Sequence, residues 1–335
     1  MKNLKFAVAG LGRIGRIHLE NLLQMKNVEV IAVMDPLKAS QEYAEEKGIP
    51  SVTATFEAMM AVEGIDSVVI CSPTDTHAAY VEIAAKAGIN VFCEKPLDLS
   101  LHRVVEVLEV VKDANIKLML GFNRRFDKEF KQVQELVSNG SIGNPHVVKI
   151  TSRDPGAPPV RYIKQSGGLF LDMTIHDFDM ARFVVGKEVE EVYAKGAVLV
   201  DPEIGKAGDI DTAVITLTYT DGTMAIIDNS REASYGYDQR IEVFGSKGMV
   251  QSENNFHNSH KLYNANGIQS SLPLHFFLER YEEAYKNEMT DYIKSLQNGI
   301  AVPVGGEDGL QSLKIGLAAL KSVKEKRSVK INEIT

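Results

Sequence analysis

Gly10-Leu11-Gly12-Arg13-Ile14-Gly15 constrains this chain more than any other stretch. It stands between an apolar run, Leu4 to Ala9, and a segment from Ile14 to Met25 with helical periodicity. Glycines at this spacing are informative only in that strand-to-helix context. Gly10 makes the tight turn, Gly12 lets a pyrophosphate approach the backbone, and Gly15 lets helix and strand pack closely. The free N–H groups of the helix start and the helix dipole suit a phosphate, which adds Arg13 and Ile14 to the expected cofactor contacts. A second strand, Val28 to Met34, ends in Asp35, 20 positions after Gly15. A carboxylate there accepts from a ribose 2′-hydroxyl and repels a 2′-phosphate, so NAD is expected over NADP, with Arg13 and Lys38 keeping NADP open. Taken alone, Asp35 also reads as a helix cap before Pro36.

The strand–helix pattern then repeats. Strand Ser67 to Ile70 leads into Cys71-Ser72-Pro73-Thr74-Asp75-Thr76-His77, strand Asn90 to Cys93 into Glu94-Lys95-Pro96, and strand Lys117 to Leu120 closes at Gly121. Helical segments separate them, one running from Ala78 to Ala87 and one capped by Ser100. Near-continuous apolar strands alternating with helices predict an α/β, doubly wound parallel sheet over residues 1–122. Ligands bind at the carboxyl ends of such strands, which brings in Ser72, Pro73, Thr74, His77, Glu94 and Lys95. Lys95 is the sharpest of these: the proline after it restricts the backbone, the Lys95–Pro96 bond is a candidate for cis, and a lysine held there can polarise a hydroxyl and move a proton. The plainer reading is a surface lysine paired with Glu94.

From Phe122-Asn123-Arg124-Arg125-Phe126 onward the period changes. A helix over Lys128 to Val137 is followed by alternating strands at His146 to Ser152, Val189 to Ala197, Ala213 to Tyr219, Met224 to Asn229, Arg240 to Phe244 and Met249 to Gln251. Asp221-Gly222 and Ser246-Lys247-Gly248 are hairpin signals. Residues 123–335 therefore read as an α+β domain with a large, open-faced, mainly antiparallel sheet, completed by helices at Phe276 to Leu296 and Glu307 to Lys324. Thr216 and Thr218 mark a face suited to association with another subunit. Between the first two strands a polar, Pro-rich loop ends at Gly167-Gly168, and a single helix is expected after it. On that helix Asp172, His176 and Asp179 share a stripe and Asp177 points elsewhere. Two carboxylates beside an imidazole make the environment of a general base. The competing reading is a solvated polar face.

Composition removes other classes. At 335 residues the length suits two domains. A net charge of −8 without a basic tract argues against a nucleic-acid surface. The apolar runs are strand-length, so no membrane span is expected. The start, Met1 to Lys5, leaves no room for a signal peptide, and a cytoplasmic location is expected. The two cysteines, Cys71 and Cys93, each close an apolar strand and read as buried thiols. The histidines show no metal-ligand spacing beyond a weak His257/His260 pair, and the chemistry needs no metal.

The segments Gly10 to Gly15, Cys93-Glu94-Lys95-Pro96, Gly121 to Phe126 and Gly167 to Asp179 together resemble the glucose–fructose oxidoreductase / inositol dehydrogenase / rhizopine-catabolism (Gfo/Idh/MocA) family over nearly the whole chain. They look closest to its inositol 2-dehydrogenase branch. The resemblance implies a Rossmann domain plus an open-faced sheet domain, assembled as dimers or tetramers, with a homotetramer expected. It implies that Lys95 orients and proton-couples the reacting hydroxyl, that His176 is the general base, and that Asp172 holds substrate hydroxyls. Asp179 would support the Lys95 and His176 constellation, Asn123 and Arg124 would line the cleft, and Asp154 and Tyr235 would touch the polyol. The activity implied is hydride transfer from a ring secondary alcohol of a cyclic polyol to NAD, with myo-inositol the expected substrate. A scyllo-inositol or aldose dehydrogenase is the alternative within the family, and a non-catalytic dinucleotide-binding regulator the one outside that chemistry.

Overall fold

In the computed structural model, residues 3–335 are described. The chain divides into two compact units. The first takes residues up to Asn123 together with Glu283–Gln311, and the second takes Arg124–Glu282 and Ser312–Thr335.

Six parallel strands form the sheet of the first unit: β1 (Leu4–Ala9), β2 (Val28–Met34), β3 (Ser51–Thr53), β4 (Ser67–Ile70), β5 (Asn90–Glu94) and β6 (Leu118–Gly121). Their order is β3-β2-β1-β4-β5-β6, so the chain winds outward from β1 in one direction and then in the other. The switch lies between β1 and β4, where a crevice opens at the carboxyl ends. Gly10 follows β1 with φ +89°, and a Cβ on Gly15 would sit 1.9 Å from the Gly10 carbonyl oxygen, so helix and strand meet there as expected. The first unit ends at Asn123 and is completed by Glu283–Gln311, which returns to it from late in the chain. The helix Glu282–Asn298 buries Tyr285, Met289, Tyr292 and Ile293 on one face. The Tyr292 ring meets Phe6 edge-on and its hydroxyl hydrogen-bonds Ser67 at 2.7 Å, both on strands of the parallel sheet.

In the second unit β7 (Pro145–Arg153), β8 (Val189–Ala197), β9 (Thr212–Tyr219), β10 (Met224–Ser230), β11 (Asp238–Gly245) and β12 (Gly248–Ser252) match the six predicted strands to within two residues at each end. A hairpin of β13 (Lys261–Asn264) and β14 (Gly267–Ser270) stands apart, and β15 (Val329–Lys330) completes the large sheet. The order is β12-β11-β7-β10-β9-β8-β15, with β7 and β10 the parallel pair among antiparallel neighbours. Alternation sorts the faces: Ala213, Ile215, Leu217 and Tyr219 are buried, while Val214 on the other face is 52% exposed. Under the buried face runs Ile175–Val185, a helix with little amphipathicity because nearly every residue of it is enclosed. Among the described residues no helix is long and apolar enough to cross a membrane.

Candidate active site

In the first unit the expected cofactor contacts lie at the carboxyl ends of β1, β2, β4 and β5. The helix Arg13–Gln24 begins at Gly12 with no side chain capping it, which leaves its first N–H groups available to an anion. A Cβ at Gly12 would meet nothing within 4 Å, so this is open space where a ligand can approach. Asp35 closes β2 and does two local jobs. Its Oδ2 accepts from the Leu11 N–H at 2.7 Å, inside the glycine turn, and its Oδ1 accepts from the Leu37 N–H at 2.9 Å, just before the next helix. The cap reading therefore holds in part. Each carboxylate oxygen keeps acceptor capacity for a ribose hydroxyl. These groups fit a dinucleotide. Lys38 reaches toward Glu42 at 3.7 Å and is well exposed.

Ser72, Pro73 and Thr74 form the turn into the helix Thr74–Lys86, and the Ser72 hydroxyl hydrogen-bonds that of Thr76 at 2.6 Å. His77 was expected at the cofactor. It is buried, with one ring nitrogen 2.8 Å from the Ser72 carbonyl and the other 2.8 Å from the Pro96 carbonyl. It ties the two loops together. Burial pushes its pKa down despite those carbonyls, which keeps the ring neutral. Lys95 is half-buried and the Lys95–Pro96 bond is cis. Glu94, beside it, receives the His18 Nε2–H at 2.8 Å and lies over Gly121, where a Cβ would come within 2.9 Å of its carboxyl. Asn123 is buried at the end of this unit. Cys71 and Cys93 are free thiols pushed well up by burial.

The second unit corrects the expectation of one helix after Gly167-Gly168. Gly168–Asp172 is a short helix, the chain breaks at Met173 and Thr174, and Ile175–Val185 follows. Gly168 has φ +77°, and a Cβ on it would meet Asp209 Oδ1 at 2.6 Å. The same carboxylate accepts from the Leu169 N–H at 3.0 Å, so Asp209 caps the short helix across that glycine. The break is held by Thr174, whose hydroxyl donates to Asn229 Oδ1 on β10. Asp172 thus ends one helix and His176 lies in the first turn of the next. They are not one helix face.

Asp172 is gripped from two sides. Tyr162 Oη donates to its Oδ1 at 2.8 Å and Arg231 Nη2 to its Oδ2 at 2.9 Å. Arg231 also reaches Asp154 Oδ2 at 3.4 Å, so Asp154 and Asp172 share one buried guanidinium. Burial pushes the Asp154 carboxyl up to about 6, the Asp172 charge adds to this, and Arg231 and Arg124 pull against it. Arg231 and Tyr162 are absent from the sequence reading. Arg231 sits just past the end of β10, and its place beside that strand is the one local cue to it. Tyr162 lies in a stretch read as loop that forms the helix Val160–Ser166, and nothing local marked it.

Arg124 and Tyr235 are each fixed by carboxylate partners of their own. Arg124 is buried, bonded to Asp177 Oδ1 and to the Ser152 hydroxyl, and Asp177 also accepts from Asn229 Nδ2 at 2.9 Å. Asp177 does point away from the Asp172 side, as expected, into this network. Arg125 clasps Asp179 with Nε at 2.8 Å and Nη2 at 2.5 Å. Asp179 is thus the partner of Arg125. Tyr235 Oη donates to Asp238 Oδ2 at 2.6 Å and accepts from Arg153 Nη1 at 2.9 Å, which places it in the Arg153–Asp228–Asp238 group.

Comparison with known proteins covers both units. Residues 4–122 match the oxidoreductase family with an NAD-binding Rossmann fold, and residues 130–251 match the GFO/IDH/MocA C-terminal domain. A myo-inositol 2-dehydrogenase of Thermotoga maritima is 50% identical over 99% of this chain and 99% of its own. An inositol 2-dehydrogenase of Rhizobium meliloti is 48% identical over 98% and 99%. The crystal structure of scyllo-inositol dehydrogenase from Lactobacillus casei with bound NAD(H) and scyllo-inositol superposes with a TM-score of 0.92 at 33% identity, covering 99% of this chain and all of the other.

Proposed function

The chain belongs to the GFO/IDH/MocA oxidoreductase family, and from that premise we propose that it oxidises a ring secondary alcohol of a cyclic polyol, myo-inositol to 2-keto-inositol, with NAD. The observation that carries this reading is the 50% identity to a myo-inositol 2-dehydrogenase along the full length, which spans the glycine turn, the Lys95 corner and the Asp172 to His176 segment alike. The relatives near 50% identity are inositol and myo-inositol 2-dehydrogenases, which supports the myo isomer.

NAD, when bound, supplies the acceptor for the carbinol hydride. The glycine turn and the open helix start hold its phosphates and Asp35 its ribose. His176 takes the proton of the reacting hydroxyl. The Lys95 ammonium stabilises that oxygen as negative charge develops on it. Asp172, fixed by Tyr162 and Arg231, accepts from a ring hydroxyl, and Asp154 on the same arginine accepts from another. Arg124 and Tyr235, fixed by Asp177 and Asp238, offer further polar contacts to the polyol. The protein acts as a cytoplasmic homotetramer, supported by the exposed apolar side chains of the open sheet face.

The test is reduced-nicotinamide formation from NAD and from NADP across inositols, deoxyinositols, aldoses and 2-hydroxy acids. Oxidation of myo-inositol with NAD is expected, with deoxy analogues much poorer because buried polar groups are then left unpaired. Turnover of 2-hydroxy acids and no polyol defeats the substrate assignment.

A further inference from the structure

Three side chains of the first unit, far apart in sequence, converge where the reaction has no use for them. His18 comes from the helix after the glycine turn, Glu94 from the end of β5, and Glu288 from the helix Glu282–Asn298. One ligand atom of each lies within 4.8 Å of the other two. Glu288 is fully buried and, among the described residues, neither of its carboxyl oxygens has a hydrogen-bond partner. A buried carboxyl left in that condition is among the more costly arrangements a protein can carry. Protonation alone does not relieve it: no acceptor stands within hydrogen-bond reach of the acid hydroxyl. His18 and Glu94 bond directly at 2.8 Å, whereas Glu288 bonds to neither, an arrangement that a shared third atom would complete.

We propose that His18, Glu94 and Glu288 form a buried site for a divalent transition-metal cation of the zinc or manganese class, with a structural role. One imidazole and two carboxylates are a donor set those ions accept, and two carboxylate charges balance a dication. His18 Nε2 and Glu94 Oε1, 2.8 Å apart, are spaced as neighbouring ligands on one ion. The surroundings are dry. Phe92 and Tyr285 meet the His18 ring edge-on, with centroids 5.0 and 5.7 Å away. Burial and the Glu94 charge drive the Glu288 carboxyl well up in the metal-free protein, so a bound cation displaces a proton. An ion there would tie the helix Arg13–Gln24 and the returning helix Glu282–Asn298 to the end of β5. Because neither His18 nor Glu288 has a part in the proposed reaction, loading of the site is separable from the dehydrogenase reading.

The experiment strips the full-length protein with chelator, reloads it with Zn2+ or Mn2+, removes free ion, and measures metal content and Tm. Wild type should retain about one equivalent per chain and melt several degrees higher when loaded. Glu288→Gln and His18→Gln should lose both the retention and the Tm shift while still binding NAD. X-ray absorption of the loaded zinc form should show nitrogen and oxygen donors only. Retention by Glu288→Gln equal to wild type, sulfur in the zinc shell from Cys71 or Cys93, or no retention and no Tm shift in wild type would each overturn the proposal.

Discussion

His176 and Asp154 carry the residue-scale consequences. If His176 takes the hydroxyl proton, His176→Ala should lower kcat by about 100- to 10,000-fold. NAD affinity, measured by fluorescence titration, should change little. A folded His176→Ala protein that turns over like wild type removes the base. Asp154 titrates near the middle of the working range because burial raises its carboxyl to about 6. A carboxyl with a folded pKa above its unfolded value favours folding while protonated. Its contribution is fully present below about pH 4 and lost as pH rises through about 6, at a cost of about 3 kcal/mol above that. Asp154→Asn removes the titration, so its stability relative to wild type should rise between about pH 4 and pH 7. Urea denaturation at the two pH values checks the sign, and the same variant should raise KM for the polyol. Residue type singled out Asp172 and His176, although the single helix face expected for them is broken between two helices. Arg231, which joins Asp172 to Asp154 from 59 residues away, was not legible, because no local pattern says which carboxylate a distant guanidinium will reach.

Elements place these side chains, and two consecutive arginines anchor the helix bearing His176. Arg124 and Arg125 pair with Asp177 and Asp179, so the turn Asn123–Phe126 is locked to Ile175–Val185 in one register. Arg125→Ala would leave Asp179 buried without that partner and should cost about 3–5 kcal/mol, read as a lower urea midpoint. Arg125→Ala with Asp179→Leu should recover much of this loss, since the second change removes the carboxylate that Arg125 clasped. Strands of the second unit were legible because one face is buried and the other open, which writes a period of two into the sequence. The break between Asp172 and His176 was not. Met173 and Thr174 are neither glycine nor proline, and the chain bends there because Asn229, from β10, holds the Thr174 hydroxyl. The hairpin β13–β14 escaped for the opposite reason: all eight of its residues are exposed, so no face is marked.

At the scale of the whole molecule the glycine turn made the first unit legible, whereas the return of Glu283–Gln311 to it was hidden. An amphipathic helix shows that it packs, not which core it packs on. The open face of the large sheet is more apolar than its threonines suggested. Across neighbouring strands Tyr193 lies opposite Thr216, Thr216 opposite Ile226, and Phe244 opposite Met249. Val214, Phe244 and Met249 are each about half exposed. Strands about 4.8 Å apart make a seven-stranded face about 30 Å wide, enough to approach the roughly 800 Å² per partner of a stable interface. Lys149, Lys195 and Asp228 stand among these apolar side chains, and a mixed face of that extent suits burial between subunits. We therefore expect light scattering at micromolar concentration to give a tetramer, with this face buried between subunits. Ile226→Glu tests the placement. On an exposed surface the change should move stability by no more than about 0.5 kcal/mol. Inside an interface it buries an unpaired charge and should split the assembly into smaller, folded species, with circular dichroism unchanged. A monomeric wild type contradicts the assembly itself. A tetramer that survives Ile226→Glu intact would mean that another surface holds the subunits and that water covers this one.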